Sequence, residues 1–535
     1  MADPDLSLSG QQAIGSGQQA GGPMAPLSVR SKIHSLDGLA ALARQAQQDG
    51  KTVALCHGVF DLLHLGHVRH IEAARKEADV LFVTLTCDEH VNKGPGRPVF
   101  TEQLRAEMLA ALAYVDAVGI NYAPSAETVI HAVRPDVYIK GSDYADADQD
   151  VTGKIRSERD AVESHGGRLV FTDEVTFSSS TLINKYLNVY DPSLQHYLET
   201  LRDEGTLETL LGHIERLQEL RVLFVGDAII DEYDYVNPMG KAAKENIIAS
   251  LFQGKELFAG GIIAAANHAA SVVKSVDVLT CVGRTDSHED LIRQTVRDNV
   301  TLHLLQRDNA PTTRKVRYID AYSMRKLFEV YHMDDSYLHG ELKQTFDTFI
   351  AEHAADYDLV VVCDFGHGLI DGKSIDLLEK HARFLAVNAQ SNAANIGFNM
   401  ITKYPKADYI AIDANEARLA AHDKVSDMSE VVGEMLPRRI DCPNIIVTQG
   451  KHGCLVYQRD QGLHRIPALT STIVDTVGAG DAFFAVTAPA VALGVPMKLV
   501  GFLGNAAGAI KVGIVGHRTS VEKAPLVKFL TALLK

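Results

Sequence analysis

The sequence predicts an α/β protein of two domains, each a largely parallel sheet covered by helices. Apolar runs of four to six residues alternate with helix-patterned stretches through most of the chain, as βαβ units require. At 535 residues the chain is too long for one ordinary core. A new apolar strand, Arg221 to Val225 ending in Gly226-Asp227, restarts the alternation midway. No internal repeat is evident, so the halves are expected to differ in fold.

Taken in order, residues 1–28 are rich in Gly, Gln, Ser and Ala and are expected to form a disordered tail. Residues 29–190 form the first domain, with strands expected at Val53 to Cys56, Val80 to Thr86, Ala117 to Ile120, Val137 to Ile139 and Arg168 to Phe171. A charged stretch poor in Gly and Pro, 191–219, reads as a helical connector, and 220–535 as the second domain. The net charge of −16 argues against a nucleic-acid binder, though not against nucleotides, whose phosphates are held by local amides and a few cations. The six cysteines are scattered with no CxxC pair, so free thiols in a reducing cytoplasm are expected. Neither a secretory signal nor a membrane span is expected.

The first chemical signal follows the Val53 strand. Gly58, Phe60 and Asp61 stand at fixed offsets before His64, Gly66 and His67, where a helix opens near Gly66. Histidines three apart on a first helical turn point the same way, toward free amides that attract phosphate. Gly66 lets a triphosphate approach the backbone. Two imidazoles there can stabilise charge developing at an α-phosphorus and on leaving pyrophosphate.

Gly58-Val-Phe60-Asp61-Leu-Leu-His64-Leu-Gly66-His67 resembles the GxFDxxHxGH signature of the cytidylyltransferase-like nucleotidyltransferases at every fixed position, over roughly residues 50 to 190. The resemblance implies a Rossmann-like domain whose phosphate contacts include Lys93 and Arg97, with Arg105 opening a helix as in the same family. Pro135 to Tyr144 is similar to the PDVLVKGGDY stretch of ADP-heptose synthases, which implies that Lys140, Gly141 and Asp143 bind nucleotide. Ser179, Ser180 and Thr181 sit where that family has a hydroxyl-rich turn; the arginine just upstream in a related version is missing, which leaves its role open, with Arg97 a candidate to serve it.

The second signal is Asp475-Thr476-Val-Gly478-Ala479-Gly480-Asp481. Glycines flanking Ala479 at a helix start make a concave set of amides, an anion hole for a transferring γ-phosphoryl group. Asp481 is then placed to take a proton from the attacking hydroxyl. The full string resembles the ribokinase (PfkB) carbohydrate kinases over roughly residues 220 to 535. That resemblance implies a ribokinase-like α/β domain with a small lid, sugar contacts from Asp227, Asp231, Gly260, Gly261 and Asn267, ATP contacts from Thr448, Gly450 and Gly453, and Asn505 beside the adenine. The family's NxxE motif near Mg²⁺ reads here as Asp413-Ala-Asn415-Glu416, so Asp413 and Glu416 are the candidate metal residues. A further departure is Val387-Asn388-Ala-Gln390-Ser-Asn392, where a DPK-type strand end is usual.

The two halves together resemble the bifunctional ADP-heptose synthases, with the order inverted. The resemblance implies ATP-dependent phosphorylation of a sugar resembling heptose 7-phosphate, then transfer of a nucleotidyl group from ATP or CTP to a sugar 1-phosphate, both with Mg²⁺. The expected partners are sugar phosphates and nucleotides, with neither nucleic acid nor membrane, in a homo-oligomer. The alternatives are a cytidylyltransferase for a polyol phosphate fused to a kinase for another sugar or nucleoside, or one head serving as a binding module without catalysis.

Overall fold

The computed structural model describes residues 29–91, 93, 97–141, 154–172, 190–470 and 472–535. The tail expected over 1–28 lies outside them. The chain forms two compact units, one comprising Met1–His90, Phe100–Ala145 and Lys154–Val175, the other Val91–Val99, Asp146–Gly153 and Thr176–Lys535.

Among its described residues the first unit holds one six-stranded sheet in the order β1-β4-β3-β2-β5-β6. The strands are β1 (Ile33–His34), β2 (Val53–Gly58), β3 (Val80–Thr86), β4 (Ala117–Asn121), β5 (Val137–Gly141) and β6 (Arg168–Thr172). Every neighbouring pair is parallel. Val53, Ala54, Leu55 and Cys56 are fully buried, which is why β2 reads as an unbroken apolar run and not an alternating one. The chain leaves β2 toward β3 and β4, then returns to β5 on the other side and continues to β6. The strand order therefore reverses between β2 and β5, and a crevice opens at their carboxyl ends, the place where open α/β sheets bind ligands.

The second unit repeats this logic on a larger sheet. Its order is β11-β10-β7-β14-β15-β16-β17-β18-β19. These are β7 (Arg221–Gly226), β10 (Ser275–Thr285), β11 (Val300–Pro311), β14 (Leu359–Asp364), β15 (Leu385–Ala389), β16 (Tyr409–Asp413), β17 (Asn444–Thr448), β18 (Cys454–Gln458) and β19 (Gly462–Ile466). The sheet is parallel up to β17, and β18 and β19 add antiparallel strands. Its order reverses between β7 and β14, which end at Gly226 and Asp364. A separate four-stranded sheet forms the lid, in the order β13-β12-β8-β9, from β8 (Ala228–Lys241), β9 (Ile248–Gly261), β12 (Thr313–Asp320) and β13 (Lys326–His332).

The stretch 191–219 is helical as expected, but it is integral to the second unit and not a free connector. Its helices Pro192–Asp203 and Thr206–Arg216 bury Leu194, Leu198, Leu201, Leu210 and Ile214 in that unit's main core. Arg202 donates to the carbonyl of Leu533 at 2.7 Å. Each such buried side chain contributes about 2 kcal/mol over leaving it in water, so these helices have a strong reason to stay docked.

Candidate active sites

In the first unit, β2 delivers the chain to the crevice and Phe60 turns it there with φ +48°. His64 is the N-cap of the helix Leu65–Arg75, one residue outside the first turn where it was expected. Its Nδ1 accepts a hydrogen bond from the Gly66 amide at 3.1 Å. An amide proton pointing at Nδ1 leaves the neutral ring's own proton on Nε2, so His64 presents a donor on its other side. The His64 and His67 rings stack with centroids 3.9 Å apart, and Phe60 packs edge-on against His67 at 5.2 Å. Gly58 lies against the Phe60 ring, where an added Cβ would sit 3.1 Å from it, and Asp61 is fully buried.

Two further histidines, unmarked in the sequence reading, lie on the same two elements. His57, next to the last residue of β2, meets Thr84 at 3.0 Å and Thr86 at 3.3 Å. His70, one helical turn beyond His67, meets Thr172 at 2.7 Å. Burial, aided by Lys140, pushes the His70 pKa down to about 4, so its ring is neutral at physiological pH. The signal was the His64, His67, His70 spacing of three along one helix face.

Lys140 and Gly141 end β5 at the same crevice. Lys140, however, forms a buried ion pair with Glu158 at 2.9 Å, beside the Tyr138 ring. Arg105 is fully buried and acts as a latch: it donates to the carbonyls of Val59 and Phe100 and to Asp88 at 2.6 Å. Lys93 and Arg97 lie in the segment 91–99, which groups with the second unit. Asp143, Ser179, Ser180 and Thr181 lie outside the described residues.

In the second unit a cavity of about 610 Å³ gathers half of the expected kinase residues, those of the nucleotide and metal side. Asp413, Glu416, Thr448, Gly450, Thr476, Gly478, Gly480 and Asp481 all line it. Gly478 caps the helix Ala479–Ala492 with φ +75°, and a Cβ there would approach His517 to 2.5 Å, so this position needs glycine. Asp481 sits in that helix's first turn. Burial raises its carboxyl pKa, opposed by the charge of His517 and by a hydrogen bond from Gln390 Nε2 at 2.6 Å. Gln390 is itself held by Asn388 at 3.0 Å, and Asn388 by the carbonyl of Ala411 at 2.6 Å. The departure at 387–392 is thus the bracket of the candidate base.

Asp413 and Glu416 form a reciprocal capping box on the helix Ala414–Ala421. Asp413 accepts from the Glu416 amide at 2.8 Å, and Glu416 from the Asp413 amide at 2.9 Å and from Ser391 at 3.1 Å. Burial, then the neighbouring Asp413, push the Glu416 pKa up to about 8. Two carboxylates that repel each other in a cavity, an all-oxygen donor set, suit a hard divalent cation such as Mg²⁺.

The acceptor side is built at the reversal of strand order. Asp227 accepts from the Phe365 amide at 2.9 Å, and burial and Asp364 push its pKa up to about 7. Asp231, paired with Arg317 and 3.3 Å from His517, is held well below the usual carboxylate range: burial opposes this, and His517 and Arg317 outweigh it. A Cβ at Gly260 would stand 1.9 Å from the Asp231 carboxylate, and one at Gly261 2.7 Å from the Asp227 carbonyl, which accounts for the paired glycines. The Asn267 side-chain amide donates to the Thr295 carbonyl and accepts from the Arg297 amide, both at 3.1 Å. Asn505 likewise donates to the Pro467 carbonyl at 2.9 Å, and with Gly453 and Ala479 it is not among the cavity's lining residues.

The pfkB family carbohydrate kinase model matches residues 220–524, more than half of the chain. The chain belongs to the pfkB family of carbohydrate kinases. Residues 55–185 match the cytidylyltransferase-like model, so this pfkB family member bears a second, nucleotidyltransferase-type domain. Among curated relatives, the Bifunctional protein HldE of Syntrophotalea carbinolica is 38% identical over 168 residues, 31% of this chain and 33% of that protein. That of Methylobacillus flagellatus is 43% identical over 157 residues, 29% of this chain and 31% of that protein. These matches fall in the cytidylyltransferase-like region, and the chain spans about a third of the length of these relatives. Among solved structures, phosphofructokinase-2 from Escherichia coli in complex with substrates and products superposes with a TM-score of 0.49 at 14% identity, over 59% of this chain and 100% of that one.

Proposed function

We propose that the chain is a bifunctional enzyme of nucleotide-activated sugar synthesis, a sugar kinase and a nucleotidyltransferase. The observation that supports it most is the cavity where Asp481, bracketed by Gln390, stands at the glycine-lined start of a helix opposite the Asp413 and Glu416 pair. In the kinase reaction the acceptor's hydroxyl oxygen bonds to the γ-phosphorus of ATP as the bond to ADP breaks, and Asp481 takes the hydroxyl proton. Amides from Gly478 to Asp481 receive the charge on the moving phosphoryl group. Asp413 and Glu416 would hold Mg²⁺, which supplies neutralisation of the phosphate charge. Asp227 and Asp231 face the acceptor's hydroxyls, and a phosphorylated sugar of the heptose 7-phosphate type is the proposed acceptor.

In the transferase reaction a phosphate oxygen of the sugar 1-phosphate bonds to the α-phosphorus of ATP or CTP and pyrophosphate leaves. His64, with its Nε2 proton, and His67 donate to the oxygens that gain charge. The proposed setting is cytoplasmic, where free nucleotides are available. The test is phosphorus NMR of the protein with Mg²⁺, D-glycero-D-manno-heptose 7-phosphate and a heptose 1-phosphate, first with ATP and then with CTP added. A new anomeric phosphate with ADP supports the kinase assignment, and a nucleotide-sugar diester identifies the nucleotide. Silence on this acceptor while other sugar phosphates turn over would remove the heptose assignment.

A further inference from the structure

Lys511 ends the helix Met497–Lys511 and its side chain is fully buried. Its ammonium donates to two backbone carbonyls, Val477 and Gly516, each at 2.7 Å. Val477 belongs to the loop that leads into the anion hole, and Gly516 to the turn that follows Lys511. The backbone amides of the same two residues are held by one carboxylate. Asp475 accepts from the Val477 amide at 3.1 Å and from the Gly516 amide at 2.8 Å, while Lys326 and Tyr233 each reach it at 2.7 Å. The loop is therefore clamped between an anion on its amides and a cation on its carbonyls. There is little slack, since a Cβ at Gly478 would lie 3.3 Å from Lys511 Cε.

A buried ammonium is an expensive way to fill space. Desolvating it is costly, and an apolar side chain of similar volume is often as good or better for stability. What the apolar side chain lacks is the charge. That charge lies beside the amides of Gly478 to Asp481, within electrostatic reach of Asp475, Asp481 and Asp231.

We propose that Lys511 is a built-in monovalent cation: a positioning residue whose ammonium fixes the carbonyls of the anion-hole loop, so that phosphoryl transfer needs no free cation at this place. The catalytic half of this proposal rests on the kinase reading above. Removing the side chain leaves a hole lined by carbonyl oxygens, next to Asp475, that a small cation such as ammonium fits and tetramethylammonium does not.

The test compares full-length wild type with Lys511→Ala while tetramethylammonium chloride is exchanged for ammonium chloride at constant ionic strength, following both Tm and ADP release. Wild type should change less than about twofold in kcat and gain no Tm. Lys511→Ala should lose about 100-fold in kcat, the scale of a misplaced oxyanion contact. Ammonium should restore at least tenfold of that and raise its Tm by several degrees. Stimulation of wild type by ammonium overturns the proposal whether or not the variant folds, and so does a variant that ammonium leaves unchanged in both Tm and kcat. If wild type releases no ADP with any acceptor, the kinase reading fails by itself. The ammonium-specific gain in Tm of Lys511→Ala then decides the cation site alone.

Discussion

At the scale of single residues, the proposed kinase chemistry turns on how the Asp481 carboxylate is kept both ionisable and aimed. Burial raises the Asp481 pKa and so strengthens it as a base, while Gln390 favours its charged form. Gln390→Ala removes that support, so the Asp481 pKa rises further and more acidic solutions leave it protonated. The acid limb of kcat/KM should therefore move to higher pH, with kcat lowered by about tenfold, as a pH–rate profile will show. An unchanged limb would mean that Gln390 does not act on the base. None of this was legible in the sequence: Gln390 and Asp481 are 91 positions apart, and only the folding of β15 beside the helix Ala479–Ala492 makes them partners. The place of Asp481 in the first turn of a glycine-capped helix was legible, because the motif is contiguous in the chain. The hydrogen bonds of Asn267 to Thr295 and Arg297 were not legible, since a motif gives the residue type and not the partners of its amide.

At the scale of elements, the capping box on the helix Ala414–Ala421 couples local structure to ionisation. The folded protein keeps the Glu416 proton up to about pH 8, whereas an ordinary glutamate releases it near 4.5. The native state thus binds more protons than the unfolded chain in that window, and stability must fall as pH rises through it. Glu416→Gln keeps the capping geometry without the charge. In the absence of Mg²⁺ and nucleotide, the Tm of wild type should drop relative to the variant between about pH 4.5 and 8. Parallel Tm curves would show that Glu416 is ionised throughout. Buried parallel strands such as β2 were readable because both faces are covered and the apolar run is continuous. The docking of 191–219 was less so, since a charged outer face looks alike on a connector and on a helix whose other face is buried.

At the scale of the whole molecule, the lid sheet exposes large apolar side chains, among them Ile248 at 72%, Phe252 at 56% and Phe328 at 58%. Apolar surface of this kind favours association, so the homo-oligomer expected from the sequence is proposed to form through the lid. Light scattering on Phe252→Asp with Phe328→Asp should report a smaller mass than wild type; an equal mass would place the interface elsewhere. Among the described residues no helix is long and apolar enough to cross a membrane. Two sheets with separate points of order reversal, in two compact units, support two chemistries that fail independently. The measurement that tests this most directly is the pair of half-reactions in Asp481→Asn and His67→Ala. Asp481→Asn should lower kinase turnover by about 1,000-fold and leave nucleotidyl transfer within twofold of wild type, and His67→Ala should do the reverse. If neither substitution slows its own half-reaction, or if either one silences both, the two-headed account is wrong.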